Sequence, residues 1–286
     1  MIQRILTALV LIPLVLLLIL RAPVWLLTIV AGIVALLAIR EFLALTRHYG
    51  VEPFSIATCI FTGMFFAIII GPFALVLLGT CILAGLMPFV FLALGMRRES
   101  LRSIYPAAAA SVFAFTYIAL PMGLLVALRS WRGEFHVVFL MLVVWSGDIF
   151  AYFVGKSLGR HKMSPRISPK KTWEGAYASL IASIFFGTCL YHFSLPINSW
   201  LLKFHLLGPD SLAWDQHRTT LLQVILLSAA VNAAAQLGDL VESAIKRGAD
   251  VKDSGAILPG HGGMLDRIDA MLFAAPVLLL CLMALT

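Results

Sequence analysis

The stretch VNAAAQLGDLVESAIKR, Val231 to Arg247, places polar residues inside an otherwise apolar run. The polar residues recur every three or four positions, which predicts one polar stripe along a helix, with Glu242 beside it. Lipid offers no partner for polar groups, so such a stripe must face protein, a wet cavity or a bound ion. Its members are Asn232, Gln236, Asp239, Ser243, Lys246 and Arg247.

The sequence around this stretch has the composition of a membrane protein. Of its 286 residues, 61% are hydrophobic and 12% charged, with a mean hydropathy of +0.99. Soluble domains have roughly 45–50% apolar residues. A membrane-crossing helix needs about 20 apolar residues, and we expect an all-α integral membrane protein with about nine such helices. They are predicted at roughly 5–20, 23–39, 54–70, 73–94, 107–128, 135–154, 173–195, 220–241 and 270–285.

The distribution of Lys and Arg predicts the orientation, because cytoplasmic loops carry an excess of these residues. With the N-terminus inside and the C-terminus outside, 16 of the 21 Lys and Arg lie on the cytoplasmic side. We therefore expect one polytopic membrane domain with its active site at the cytoplasmic face. Residues 1–134 carry no recognised motif, and residues 135–286 carry the charged motifs.

Acidic and glycine-rich positions cluster in the C-terminal half. Asp148 lies inside a predicted span, where a charge costs about 2.5–3.5 kcal/mol. The segment Pro259–Gly263, PGHGG, can present backbone N–H groups to an anion. Asp266 and Asp269 share one face at the start of the last predicted helix. A plain turn, and a helix N-terminus with Arg267 as counterion, would also explain these features.

The loop after the sixth predicted span is strongly basic and contains SPKKTWEG, Ser168 to Gly175. Orientation alone could explain this charge, but an anionic substrate held at the same face would also require it. Acids beside cations and glycine amides favour phosphoryl or nucleotidyl transfer with a divalent metal. Threading the predicted spans brings Asp148, this loop, Asp239 and Asp266 to one cytoplasmic surface.

The segment from Ser243 to Asp269 resembles the signature of the phosphatidate cytidylyltransferase family, also called CDP-diacylglycerol synthases. The likeness covers 27 residues without a gap: Ser243 to Arg247, Lys252-Asp253, Pro259, His261-Gly262-Gly263 and Asp266 to Asp269. It extends to Gln236, Gly238-Asp239, Ser168-Pro169, Lys171-Thr172 and Asp148. Lys170 departs from the Asn or Gly expected there and adds a charge.

The resemblance implies transfer of a cytidylyl group from CTP to phosphatidate, with release of pyrophosphate. It also implies Mg²⁺, with a second cation left open, a multi-pass protein of the bacterial inner membrane, contact with membrane lipid and a homodimer, with no nucleic-acid partner. The implied catalytic residues are Asp239, Asp266, Lys246 and Arg267, and the metal ligands are Asp239 and Asp266, with Asp148, Glu242 and Asp269 as weaker candidates. The implied substrate-binding residues are Ser168, Lys171, Thr172, Ser243, Arg247, Lys252, His261, Gly262 and Gly263.

Two other functions are compatible with parts of this pattern. A CTP-dependent lipid kinase would share the scaffold and the acidic motifs but would transfer the γ-phosphate. A secondary transporter would also bury charge, but its polar groups should lie near the bilayer midplane with symmetry between halves. The polar residues here gather at one face of the C-terminal half, which favours the cytidylyltransferase.

Overall fold

The computed structural model describes residues 2–207, 214, 219–257 and 262–285, with side chains described from residue 12 onward except at residue 73. Helices dominate this part of the chain. They are α1 (Ile2–Arg21), α2 (Val24–His48), α3 (Ser55–Ile68), α4 (Phe73–Gly95), α5 (Ile104–Ala114), α6 (Leu120–Arg132), α7 (Glu134–Ser157), α8 (Trp173–His192), α9 (Ser194–Lys203), α10 (Leu221–Gly248) and α11 (Leu265–Ala284). A π-helical turn, Phe115–Ala119, joins α5 to α6.

Among the described residues, six helices are long and apolar enough to cross a membrane. A seventh span is present if α8 and α9, which meet at 62°, count as one. The all-α membrane fold is therefore confirmed, whereas the nine predicted spans and the orientation with the N-terminus inside are not.

A short helix accounts for part of the difference in span number. The helix predicted at 54–70 is α3, which has 14 residues and would rise only about 21 Å, against a hydrocarbon core of about 30 Å. It ends at Ile68 because a turn and Pro72 follow, and the residue before a proline disfavours helical geometry. The span predicted at 5–20 lies within the 20-residue helix α1, of which the part Ile12–Arg21 is apolar.

The basic loop after α7 forms a small antiparallel hairpin, which the sequence did not predict. Strand β1 (Lys162–Ser164) pairs with β2 (Ser168–Thr172), with Lys162 opposite Thr172 and Ser164 opposite Ser168. The backbone N–H of Trp173 donates to the carbonyl of His161 at 2.9 Å, which closes the hairpin where α8 begins. The hairpin therefore gives Lys171 and Thr172 a fixed place next to a helix N-terminus.

The chain divides into two compact units, and α10 and α11 each contribute to both. The first unit comprises Met1–Ala22, Ala127–Ala244 and Asp269–Thr286, and its core includes fully buried Phe139 and Leu140 of α7. The second comprises Pro23–Val126 and Ile245–Ile268. Its core includes fully buried Phe91 of α4, whose ring lies 5.6 Å from that of Phe54. The single polytopic domain stays a prediction.

Candidate functional site

Each unit holds one pair of Asp and Lys side chains that the sequence had singled out. We call Lys171–Asp239 in the first unit the open pair, and Lys246–Asp266 in the second unit the clamped pair. The Nζ to carboxylate distances are 2.7 Å and 2.5 Å respectively. Each pair therefore has the same kind of ammonium–carboxylate contact, but the surroundings of the two contacts differ.

The open pair lies where the hairpin meets α10. Lys171 Nζ contacts Asp239 Oδ2, and the hydroxyl of Ser243, one helical turn further along, donates to Oδ1 at 3.4 Å. The Asp239 side chain is 37% exposed and that of Lys171 is 25% exposed. This carboxylate keeps a solvent-facing side on which a cation or another ligand could approach.

Thr172 fixes the end of the hairpin that carries Lys171. Its side-chain oxygen accepts from the backbone N–H of Gly175 at 3.2 Å, which makes it the N-cap of α8. The residue is buried, and a methyl group built on Gly155 of α7 would lie 3.1 Å from its Oγ1. Thr172 is thus a cap packed against α7, and its binding of substrate stays a prediction.

The polar stripe on α10 is directed in part toward α8. Asn232 is 1% exposed, and its amide donates to the hydroxyls of Ser179 at 2.7 Å and Ser183 at 2.8 Å. The amide of Gln236 donates to the Asn232 side-chain oxygen at 2.6 Å. This half of the stripe faces protein and binds two helices together, as interhelical hydrogen bonds do in membranes.

The clamped pair is surrounded by protein donors. Asp266 Oδ1 accepts from Lys246, and Oδ2 accepts from the backbone N–H of Gly263 at 2.7 Å. Oδ2 also accepts from the backbone N–H of Ser254 at 3.0 Å and from its hydroxyl at 3.1 Å. The side chain of Asp266 is 6% exposed and that of Lys246 is 11% exposed. An ammonium group and two backbone N–H groups therefore donate to this carboxylate, and the Ser254 hydroxyl lies beside it.

The glycines before α11 wrap around the same carboxylate. Gly262 has φ +81°, a left-handed conformation that glycine adopts without strain, and a Cβ built there would lie 2.6 Å from Asp266 Oδ2. The N–H of Gly263, expected to face a substrate phosphate, donates to Asp266. Substrate binding by Gly262 and Gly263 stays a prediction, and His261 lies outside the described residues.

The sequence profile of the cytidylyltransferase family matches residues 2–285. The chain belongs to the cytidylyltransferase family.

Several relatives carry the name phosphatidate cytidylyltransferase. The Haemophilus influenzae protein is 38% identical over 146 residues, which are 51% of this chain and 45% of the relative. The Bacillus subtilis protein is 40% identical over 146 residues, 51% of this chain and 46% of the relative. The chain thus spans about half the length of these two. A Staphylococcus aureus protein is 32% identical over 256 residues, 88% of each chain.

Glu41 contacts the loop around Asp266, a contact that sequence reasoning missed. Its carboxylate, on α2, accepts from the backbone N–H groups of Met264 and Leu265 and from the hydroxyl of Ser254, each at 2.9 Å. Glu41 follows the span predicted at 23–39 and therefore looked like a loop residue. The apolar residues Phe42, Leu43 and Leu45 beyond it could have indicated that the helix continues.

Tyr49 holds the end of α10 in the second unit. Its hydroxyl donates to the carbonyl of Ile245 at 2.6 Å, and a Cβ on Gly248 would collide with its ring and hydroxyl. Partial burial raises the pKa of Tyr49, and the negative charge of Asp250 raises it further. The hydroxyl therefore remains a hydrogen-bond donor at neutral pH.

The other predicted site residues differ in their exposure to solvent. Asp148 is exposed on α7, Glu242 is 1% exposed on α10 and Asp269 is half-buried on α11. Within the described ranges, no group of three or more His, Cys, Asp or Glu could hold a metal ion. The remaining candidates are half-buried Ser168 and the exposed cations Arg247, Lys252 and Arg267.

The structure brings together Lys171, Asp239 and Ser243 in the first unit, and Lys246, Gly263 and Asp266 in the second. The predicted convergence of all these motifs on one cytoplasmic surface stays a prediction.

Proposed function

We propose that this family member transfers the cytidylyl group of CTP to phosphatidate, giving CDP-diacylglycerol and pyrophosphate. The observation that carries this proposal is the open pair, a partly exposed carboxylate beside an ammonium group on a basic hairpin. The name of the Staphylococcus aureus relative, 88% of which is covered, supports the same activity. We place the reaction at the cytoplasmic face of a bacterial inner membrane, where a lipid and a soluble nucleotide can meet.

The proposed reaction is an in-line displacement at the α-phosphorus of CTP. A phosphate oxygen of phosphatidate forms a bond to that phosphorus, and the bond to the bridging oxygen of the β-phosphate breaks. Pyrophosphate leaves with the electron pair. The second pKa of a phosphate monoester is near 6, so phosphatidate is largely dianionic at pH 7 and needs no protein base.

The protein's own contribution is to hold two anions together and to neutralise the charge that develops on the transferred group. In the first unit, Lys171 and the exposed hairpin cations Lys162, Arg166 and Lys170 are suited to contact the triphosphate, with Ser168 and Ser243 as hydroxyl partners. In the second unit, the proposed phosphate contacts are Lys246, Arg247, Lys252 and Arg267. Of these, Lys246 already has a protein carboxylate as its partner.

We propose Mg²⁺ as cofactor, and its fit to the two carboxylates differs. Mg²⁺ binds one or two carboxylates and takes its other oxygens from substrate phosphates and water. Asp239 fits this requirement, because its carboxylate is partly exposed and, among the described residues, contacts Lys171 and, at a longer distance, Ser243. Asp266 would hold an ion only after Lys246 leaves Oδ1, because protein donors occupy both of its oxygens.

When bound, the ion would neutralise negative charge on the CTP phosphates. Asp148, Glu242 and Asp269 remain weaker proposals as ligands, as do a second cation and the homodimer.

The reaction class is tested by product analysis of the purified protein in detergent with phosphatidate, Mg²⁺ and CTP labelled separately at the α- and γ-phosphates. We expect α-label in the lipid product and release of pyrophosphate. Transfer of γ-label to an added lipid alcohol would instead establish a lipid kinase. Folded protein that consumes no CTP would refute both enzymes.

A further inference from the structure

We propose that Glu41 is a positioning residue for the reaction, which holds Asp266 and the start of α11 in place from the neighbouring helix α2. This inference rests on the proposed function and deepens it. The motif from Ser243 to Asp269 contains no residue of α2, so the resemblance gave no indication of this role.

Glu41 accepts hydrogen bonds from three donors in the segments near Asp266. Its two oxygens accept from the N–H groups of Met264 and Leu265 and from the Ser254 hydroxyl, each at 2.9 Å. The first N–H groups of a helix have no acceptor within the helix. The Glu41 carboxylate is the acceptor for those at the beginning of α11. A carboxylate is also favoured there by the helix dipole.

Ser254 connects the two carboxylates. Its hydroxyl lies 2.9 Å from Glu41 Oε2 and 3.1 Å from Asp266 Oδ2, and its backbone N–H donates to the same Asp266 oxygen at 3.0 Å. Glu41 and Asp266 therefore both hold the loop through Ser254. Ser254 and Glu41 are 7% and 6% exposed, so water competes little for these contacts.

Two glycines let the loop approach Glu41 this closely. A Cβ on Gly255 would lie 2.6 Å from Glu41 Oε1, and a Cβ on Gly263 would collide with Glu41 Oε2 and the Ser254 hydroxyl. The close contacts between the loop and the Glu41 side chain require a carboxylate at this position. An amide in its place would direct an NH₂ group at N–H donors, and those donors would lose an acceptor.

The consequence for catalysis follows from the position of Asp266. A displacement of about 1 Å in a site residue can reduce turnover on the order of 100-fold. Glu41→Gln is therefore expected to lower kcat by about 10- to 100-fold with a smaller change in the KM for CTP, since the phosphate-binding cations on the surface are unaltered.

The test compares four full-length proteins in detergent: wild type, Glu41→Gln, Ser254→Ala and the control Glu52→Gln. Glu52 is an exposed acid in the same unit, paired with Arg47. CDP-diacylglycerol formation gives kcat and KM, and hydrogen–deuterium exchange followed on a peptide covering residues 262–268 reports the N–H groups of Met264 and Leu265. We expect these N–H groups to exchange at least about tenfold faster in Glu41→Gln and at the wild-type rate in Glu52→Gln.

A double variant, Glu41→Gln with Ser254→Ala, separates positioning from general destabilisation. If both residues act through one contact, the double variant should lose much less activity than the product of the two single losses. Wild-type kcat in a folded Glu41→Gln variant would overturn the inference, whatever its exchange rate. If Glu41→Gln does not fold, Ser254→Ala decides: unchanged kcat and unchanged exchange in that variant would refute the role.

The wild-type assay keeps this inference apart from the proposed function. If wild type makes no CDP-diacylglycerol, the proposed function fails, whereas the exchange of the Met264 and Leu265 N–H groups still reports whether Glu41 holds the loop. If wild type is active and Glu41→Gln is equally active, only the role of Glu41 fails.

Discussion

The open pair and the clamped pair contain the same two side chains in nearly the same contact, yet they differ in how much else binds the carboxylate. Asp239 has an ammonium group and one long hydroxyl contact, and more than a third of its side chain is exposed. Asp266 has an ammonium group, two backbone N–H groups and a hydroxyl, and its side chain is almost fully buried.

This difference shows that the role of an Asp–Lys pair depends on the donors around it. An exposed pair contributes little to stability, usually about 0–1 kcal/mol, and can exchange its partner for a ligand. A buried pair loses much more when one partner is removed, because the other charge is left without compensation. We therefore expect the open pair to act mainly on substrate or metal, and the clamped pair to be required for the fold of its loop as well.

The largest effect is expected for Asp266→Asn. It replaces the carboxylate that holds the nearly buried Lys246 ammonium by a neutral amide, which should destabilise the protein by about 3–5 kcal/mol and abolish measurable turnover. Thermal unfolding in detergent and CDP-diacylglycerol formation measure the two effects. Asp250→Asn is the matched control, because Asp250 is exposed and asparagine tolerates its left-handed backbone, φ 56°.

Adding Lys246→Met to Asp266→Asn sharpens this prediction. The double variant keeps one acceptor for the loop N–H groups and removes the buried cation, so part of the lost thermal stability should return while turnover stays absent. Wild-type unfolding temperature in the Asp266→Asn single variant would contradict the clamp.

Asp239→Asn should lower activity without lowering stability. Loss of an open carboxylate that is proposed to hold Mg²⁺ should reduce kcat on the order of 100-fold or more, while unfolding changes by less than about 1 kcal/mol. The same two assays give both numbers. Equal losses of stability in Asp239→Asn and Asp266→Asn would erase the distinction between the pairs, and full Mg²⁺-dependent turnover in both would refute the proposed site.

Lys171→Gln tests whether the open pair can exchange partners. If Lys171 competes with Mg²⁺ for Asp239, its removal should lower the half-saturating Mg²⁺ concentration by up to about fivefold, which corresponds to an exposed pair of up to about 1 kcal/mol. The KM for CTP should rise, because a phosphate contact is lost. An increase in the Mg²⁺ requirement would show that Lys171 does not compete with the ion.

The smallest effect is expected for the exposed hairpin cation Lys170, the residue that departs from the family pattern. Lys170→Gln should raise the KM for CTP by about twofold at low salt, and the difference should fade near 0.15 M ionic strength, where charges more than about 8 Å apart are screened. Steady-state kinetics at two salt concentrations measure it. A difference that persists in high salt would indicate a direct contact with substrate.

The membrane class, the helical architecture and all four residues of the two Asp–Lys pairs could be predicted from the sequence alone. Apolar runs and helical spacing are local properties, and they predicted the spans and the stripe on α10 because burial in lipid leaves few alternatives to helix. The motif from Ser243 to Asp269 likewise gave the family. Span number was less well predicted, because a run such as 54–70 does not show where a turn shortens the helix.

The donors that each carboxylate receives depend on the tertiary structure. Nothing local in the sequence distinguishes Asp239 from Asp266, nor shows that Glu41, more than 200 positions away from Met264, caps the start of α11. Hydrogen bonds are directional and short-ranged, so they depend on which backbone segments the fold brings within about 3 Å. One aspartate thus remains open to solvent while the other is enclosed by its own loop.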